Sequence, residues 1–215
     1  MADVTKPTTP PTRRPSERPS DLVVGDDGRA RCAWGSGDPL YIDYHDTEWG
    51  RPLRDERALF ELLCLEAFQS GLSWLTILRK RPGFRAAFAD FDPPTVAAFG
   101  DHDVARLMAD ERIVRNRAKI DAAIANARAL VAMHERGETL VDVVFAHAPP
   151  ADERPPGGVR SLADVPSSTP SSKALAKALR ERGIRFVGPV VAYALMEAAG
   201  VVDDHVDGCW VTAAA

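Results

Sequence analysis

The chain has 215 residues, a formal net charge of −4, and 45% apolar and 27% charged residues. This is the ordinary balance of a globular chain long enough to bury a proper core, and it argues against non-specific nucleic-acid binding over the whole surface. No apolar run reaches bilayer-spanning length, no apolar stretch follows the N-terminal arginines as in a secretory signal, and three cysteines do not make a disulfide framework. The expectation is a cytoplasmic protein with no membrane partner, its thiols kept reduced.

Residues 1–28 read as a disordered N-terminal extension. Five prolines fall in the first twenty positions, with almost no large apolar side chains between them, so little burial is available to offset ordering entropy. The remaining domain, residues 29–215, begins near Arg31. Residues 55–68 read as a helix capped by Asp55, with Gly71 suited to close it. Ser73-Trp74-Leu75 opens a second helix, expected to stop at Pro82. Short helices are expected at 84–90, 93–99 and 102–109, and a long amphipathic one at 115–135 carrying Ile120, Ala123, Ile124, Ala127, Leu130 and Val131. Proline-rich residues 146–166 read as a surface loop. Ser171 or Ser172 then caps a helix to about Arg182, and a last apolar helix runs from Pro189 to Ala199. Strand signals are weak throughout, and the expected fold is all-α.

Four residues at the two ends have the composition of a tetrahedral metal site. Cys32 and His45 stand near the start with twelve residues between them, and His205 and Cys209 near the end with three. Two thiolates and two imidazoles are the usual donors of a structural zinc, and the three-residue gap lets one helical turn present both of the later ligands. The alternative is that these are ordinary buried residues, as Cys64 in Leu62-Leu63-Cys64-Leu65 reads.

Gly183-Ile184-Arg185-Phe186-Val187-Gly188-Pro189 has the form of a hairpin between two helices. Gly183 can adopt a positive φ, Gly188 permits close approach of a phosphate, and Pro189 suits the first position of a helix whose free N–H groups attract anions. Lys173, Lys177, Arg180, Arg182 and Arg185 concentrate positive charge there. A solvated helix corner with scattered lysines is the plainer reading.

Trp34, Tyr41, Tyr44, Trp49 and Trp74 crowd two short blocks, and Glu66 lies among apolar helical neighbours. An ionised carboxylate is costly there unless it meets a partner. A cavity with flat aromatic walls and one acid would take a flat cationic base; core packing is the commoner fate of such rings.

Taken in order, Arg31-Cys32-Ala33-Trp34, Asp38-Pro39-Leu40-Tyr41-Ile42, Tyr44-His45-Asp46, Glu48-Trp49-Gly50, Leu65-Glu66, Gly71-Leu72-Ser73-Trp74, Phe186-Val187-Gly188, Asp204-His205 and Cys209 resemble the DNA-3-methyladenine glycosylase I family. The resemblance covers about residues 30–210. It implies a helix-hairpin-helix DNA glycosylase fold, with two helical subdomains flanking a base pocket and the termini joined by one structural Zn2+ on Cys32, His45, His205 and Cys209. It implies a monofunctional enzyme that removes 3-methyladenine, and more weakly 3-methylguanine, from double-stranded DNA carrying alkylated purines; a monomer is the default expectation for a protein that must bend around a duplex. In that scheme Glu66 and Tyr44 bond the purine edge, Trp74 stacks on its face, and Trp49, Tyr41 and Trp34 complete the walls. Gly183, Arg185, Val187, Gly188 and Lys177 meet the backbone, and the turn Gln69, Gly71 and Leu72 is a candidate wedge. The wider superfamily places a catalytic aspartate near Asp203. Its bifunctional members place a lysine after the second hairpin glycine, where this chain has Pro189. A non-catalytic DNA-binding module and a glycosylase of altered base preference are the competing readings.

Overall fold

The computed structural model describes residues 21–153 and 158–211. The expectation for residues 1–20 lies outside that range. Residues 21–28 do not follow it: Leu22–Val24 (β1) pairs antiparallel with Ala30–Cys32 (β2) around a turn at Gly28. The ordered chain therefore starts earlier than the composition suggested, and a fold expected to be all-α is mostly helical with one small β-hairpin. That hairpin is stabilised from outside its own sequence. Cys32 is buried, Arg31 forms an ion pair with Asp46, and the Trp210 N–H donates to the Ala30 carbonyl.

Nine α-helices follow among the described residues: Pro39–Thr47 (α1), Glu56–Gln69 (α2), Trp74–Ala87 (α3), Pro93–Ala97 (α4), Asp101–Ala109 (α5), Arg117–Glu135 (α6), Leu140–Phe145 (α7), Pro170–Glu181 (α8) and Pro189–Ala198 (α9). The starts obey local chemistry. Asp38, Asp55, Ser73, Asp92, Asn116, Thr139 and Thr169 each turn a side-chain oxygen onto a free N–H of the first turn. At α8 the cap is Thr169, and Ser172 completes the reciprocal pair three residues on.

Pro82 does not end α3, which continues to Ala87. The lost backbone bond is outweighed by burial of Phe84 and Ala87 on the far side of the proline. The helix expected at 84–90 is therefore the end of α3, followed by a tight turn in which Ala89, Asp90 and Phe91 all have positive φ. Phe88 and Phe91 stack across that turn at 5.4 Å with planes 7° apart, both fully buried. Their burial holds a backbone that L-residues otherwise avoid. The 146–166 segment contains single helical turns at Ala151–Glu153 and Leu162–Asp164, and it is not wholly at the surface. Val159 is buried and bridges in parallel to Val206.

Two apolar clusters result. The large one joins α2, α3, α6, α8 and α9 through Leu59, Phe60, Phe68, Ile77, Leu130, Leu179 and Leu195. The small one is Cys32, Val159, Val206, Cys209 and Val211, where the first and last described segments meet. No described helix is long and apolar enough to cross a membrane. Replacing Phe88 by Ala opens a cavity in the large cluster and should cost ~4 kcal/mol in a urea unfolding titration; a loss under ~1 kcal/mol would show that the phenylalanine stack does not hold the 89–91 turn.

Candidate functional site

Helix α1 displays Tyr41 and Tyr44 on one side and His45 beside them, and the rest of the site forms around it. Trp34, Tyr41, Tyr44, Trp49, Glu66, Gln69, Trp74, Ala194 and Glu197 enclose a cavity of about 220 Å3. The structure thus brings together all six residues expected to bind a base. Trp34 stands edge-on to Trp49 at 4.8 Å and to Tyr41 at 5.9 Å, and Tyr44 lies 5.4 Å from Trp74. The Tyr41 hydroxyl accepts the Leu75 N–H at 3.0 Å, locking α1 to the first turn of α3 and so fixing the height of Trp74. The Trp74 indole N–H is buried with no hydrogen-bond partner among the described residues.

Glu66, on α2, is 5% exposed at the floor. Burial pushes its carboxyl up to about 8, and no side-chain hydrogen bond among the described residues counters that burial. The same burial, with the field of Glu66 second, raises the Tyr44 phenol well above its usual range. Tyr44 is therefore a neutral hydroxyl that can still donate.

The sequence reading missed two lining residues, Ala194 and Glu197 on α9. Glu197 carries the signal that singled out Glu66, an acid inside a very apolar helix. Its carboxyl is pushed up by burial first and then by Asp204, to which its side chain is hydrogen-bonded. Asp204 is itself buried and accepts the Tyr193 hydroxyl at 2.6 Å.

Behind the cavity lies the cluster from the chain ends. The ligand atoms of Cys32, His45 and Cys209 all lie within 4.8 Å of one another, all three residues buried. His205 stands beside this triad, its ring 5.1 Å from His45 and 4.5 Å from Trp49. Each imidazole is oriented through Nδ1: His45 by Asp46 at 2.9 Å and His205 by Asp203 at 2.8 Å. His45 Nε2 meets the Cys209 Sγ at 3.5 Å, and His205 Nε2 is buried without a partner among the described residues. Cys209 is pulled to about 4, first by the Cys32 thiol that bonds to it, and Cys32 is pushed up by the same contact. A buried cluster of two cysteine sulfurs with imidazoles beside them suits a metal ion. Two glycines make room for the rings. A Cβ on Gly35 would come within 2.6 Å of His45, and one on Gly50, at φ +75°, within 2.5 Å of His205.

The remaining expected residues separate. Asp203 does not line the cavity; its carboxylate is placed on His205. Gln69 lines the cavity rim, whereas Gly71, at φ +83°, and Leu72, 41% exposed, form the α2–α3 turn. In the α8–α9 hairpin Gly183 has φ +91°, Gly188 caps α9 and Pro189 is its first residue. Arg185 is exposed and Lys177 lies 3.8 Å from Glu181. Arg182 binds Glu138 at 2.7 Å and so contributes less free charge than its position suggested. The Val187 side chain is buried, so only its backbone can meet a ligand.

Glu66 leaves a signature in stability. Its folded pKa lies above the ordinary carboxylate value, so the folded state holds the proton more tightly and stability falls as pH rises from about 4.5 to about 8. Glu66→Gln removes that loss. The variant should gain on the parent by ~2–4 kcal/mol between pH 5 and pH 8 in paired urea titrations; a constant difference would place Glu66 in contact with solvent.

The sequence profile of the methyladenine glycosylase family matches residues 34–212. DNA-3-methyladenine glycosylase 1 of Escherichia coli (strain K12) is 50% identical over 182 residues, 83% of this chain and 95% of that protein. A crystal structure of 3-methyladenine DNA glycosylase I superposes with a TM-score of 0.78 at 50% identity, covering 84% of this chain and 98% of the other. A second crystal structure, of a Tyr-to-Phe variant of 3-methyladenine DNA glycosylase I in complex with 3-methyladenine, does so with a TM-score of 0.78 at 34% identity, covering 84% and 96%. An aromatic cavity over a buried acid, with this extent of likeness on both sequence and backbone, establishes that the chain belongs to the methyladenine glycosylase family.

Proposed function

We propose that the protein is a monofunctional DNA glycosylase that hydrolyses the N-glycosidic bond of 3-methyladenine, and more slowly 3-methylguanine, in double-stranded alkylated DNA. The observation that carries this reading is Glu66, buried with no side-chain hydrogen bond among the described residues, in a cavity walled by three tryptophans and two tyrosines. Methylation at N3 makes the purine a cation with a weakened bond to the sugar. A cation opposes the desolvation that raises Glu66, so binding draws the carboxylate into its charged form, and aromatic walls add their own attraction.

The chemistry asks little of acid catalysis, because the base leaves neutral. As the bond to the anomeric carbon breaks, its electron pair passes into the purine ring and cancels the charge. Water adds to the carbon and its proton goes to solvent. The protein's task is to hold the flipped base, with Glu66 and the Tyr44 hydroxyl on its edge and Trp74 against its face. The lysine chemistry of the superfamily's bifunctional members has no counterpart, since Pro189, Val190 and Val191 follow Gly188. The α8–α9 hairpin is read as the backbone-binding element of a helix-hairpin-helix fold with two helical subdomains, and the 69–72 turn as the wedge that fills the vacated stack. In this reading the enzyme acts as a monomer in the cytoplasm.

One Zn2+ held by Cys32, His45, His205 and Cys209 belongs to the same proposal. The His205 Nε2, buried without a partner among the described residues, the close approach of Cys32, His45 and Cys209, and the contacts of Asp46 and Asp203 with the two Nδ1 atoms support it. Filled by four protein ligands, the ion leaves no position for water, so its part is structural, clamping the chain ends.

Incubation with methylated duplex DNA should release 3-methyladenine. Glu66→Gln should slow release by ~100-fold or more while duplex affinity stays within about threefold. Release of no methylpurine by the parent chain would refute the assignment. Purified protein should carry about one zinc per chain, and chelation should lower the thermal midpoint by ~10 °C; protein that folds equally well without bound metal would remove the zinc clamp from this account.

A further inference from the structure

Helix α6 carries two buried polar side chains that the reaction does not use. Lys119 is 8% exposed, and its ammonium donates to the carbonyls of Phe68 at 2.8 Å and Ser70 at 2.7 Å. Those are carbonyls left free where α2 ends, so a cation there meets both the hydrogen-bonding deficit and the negative end of the helix. Asn126 is 1% exposed and grips the hairpin in both directions. Its Oδ1 accepts the Arg185 N–H at 2.7 Å, and its Nδ2 donates to the Arg185 carbonyl at 3.1 Å.

These two residues are seven apart. On an α-helix that is almost two full turns, so they share a face and lie about 10 Å apart along the axis. Their partners are the two turns assigned above to DNA: the 69–72 turn bearing Leu72, closed by the Leu72 N–H onto the Gln69 carbonyl at 2.6 Å, and the 183–188 hairpin bearing Arg185 and Gly188. Gly183 also rests on this helix, since a Cβ there would sit 3.5 Å from the Ala129 methyl. Neither residue earns its place by packing. A buried ammonium and a buried amide both cost desolvation, which apolar side chains of similar size would avoid.

We propose that Lys119 and Asn126 are positioning residues, and that α6 acts as a rigid spacer fixing the interval between the wedge turn and the phosphate-binding hairpin on the duplex. Wedge and hairpin must engage the same strand at once, the one entering the gap as the other holds a phosphate. An interval set by loops alone would let either engage without the other. The proposal rests on the assignment of these two turns to DNA.

The test compares the parent chain with Lys119→Met and Asn126→Ala in three readouts: equilibrium dialysis of free 3-methyladenine, binding of a duplex containing an abasic-site analogue, and single-turnover release of 3-methyladenine from methylated duplex. Both variants should bind the free base within about twofold of the parent, because neither residue lines the cavity. Asn126→Ala should weaken duplex binding by ~10-fold, and Lys119→Met should leave duplex binding within about threefold but slow release by ~10-fold. Parent-like duplex binding and release in both variants would overturn the proposal. So would loss of free-base binding in step with the other two readouts, which would show that the residues merely hold the fold. If the parent chain itself released no base, the glycosylase reading would fail, and duplex affinity of Asn126→Ala would still decide whether α6 sets the hairpin.

Discussion

The base cavity and the cysteine–histidine cluster share a wall, and most of the site follows from that. Trp49 lines the cavity with one face of its environment and packs on His205 with the other; Trp34 touches Tyr41 on one side and His45 on the other. Tyr44 and His45 are adjacent in α1, so any rotation of that helix to suit one site disturbs the other. The protein thus cannot place its aromatic walls without also bringing its chain ends together. The side-chain and backbone bonds that join those ends, Val206 N–H to Cys32 Sγ and Trp210 N–H to the Ala30 carbonyl, span most of the sequence. Closing so long a loop costs entropy that few contacts must offset, which is the situation in which a metal clamp would be most effective.

The electrostatics of the cavity are arranged by subtraction. Elsewhere the chain pairs its buried acids closely: Glu61 lies between Arg81 and Arg85, and Asp46 takes Arg31, His45 and Trp210. Glu66 receives none of these, and Glu197 is tied back to Asp204. The result is a pocket whose favoured occupant is one that supplies positive charge itself. In the proposed reading a neutral purine would leave Glu66 protonated or uncompensated, so the missing charge would count against undamaged adenine alongside shape.

What was legible in the sequence was local or compositional. Asp55 and Ser73 announce helix starts because the cap is chemistry within three residues, and the α6 stripe repeats at the helical period. The six pocket residues were found because rare aromatic side chains and a misplaced acid stand out. Features settled by distant partners were not legible. The β-hairpin at residues 22–32 is held by Asp46 and Trp210, and the passage of α3 through Pro82 by the burial of Phe84. Lys119 and Asn126 read as polar members of a surface face until the carbonyls they satisfy, roughly fifty to sixty residues away, are seen.

The chain has four tryptophans, and their placement has an optical consequence. Trp34, Trp49 and Trp74 ring the cavity at the edge of the large apolar cluster, and Trp210 packs on the small cluster where the first and last described segments meet. Every indole of this protein therefore stands at the cavity or at that junction. The intensity and colour of indole emission report on whether the pocket is filled and whether the ends are joined, without any label having to be introduced.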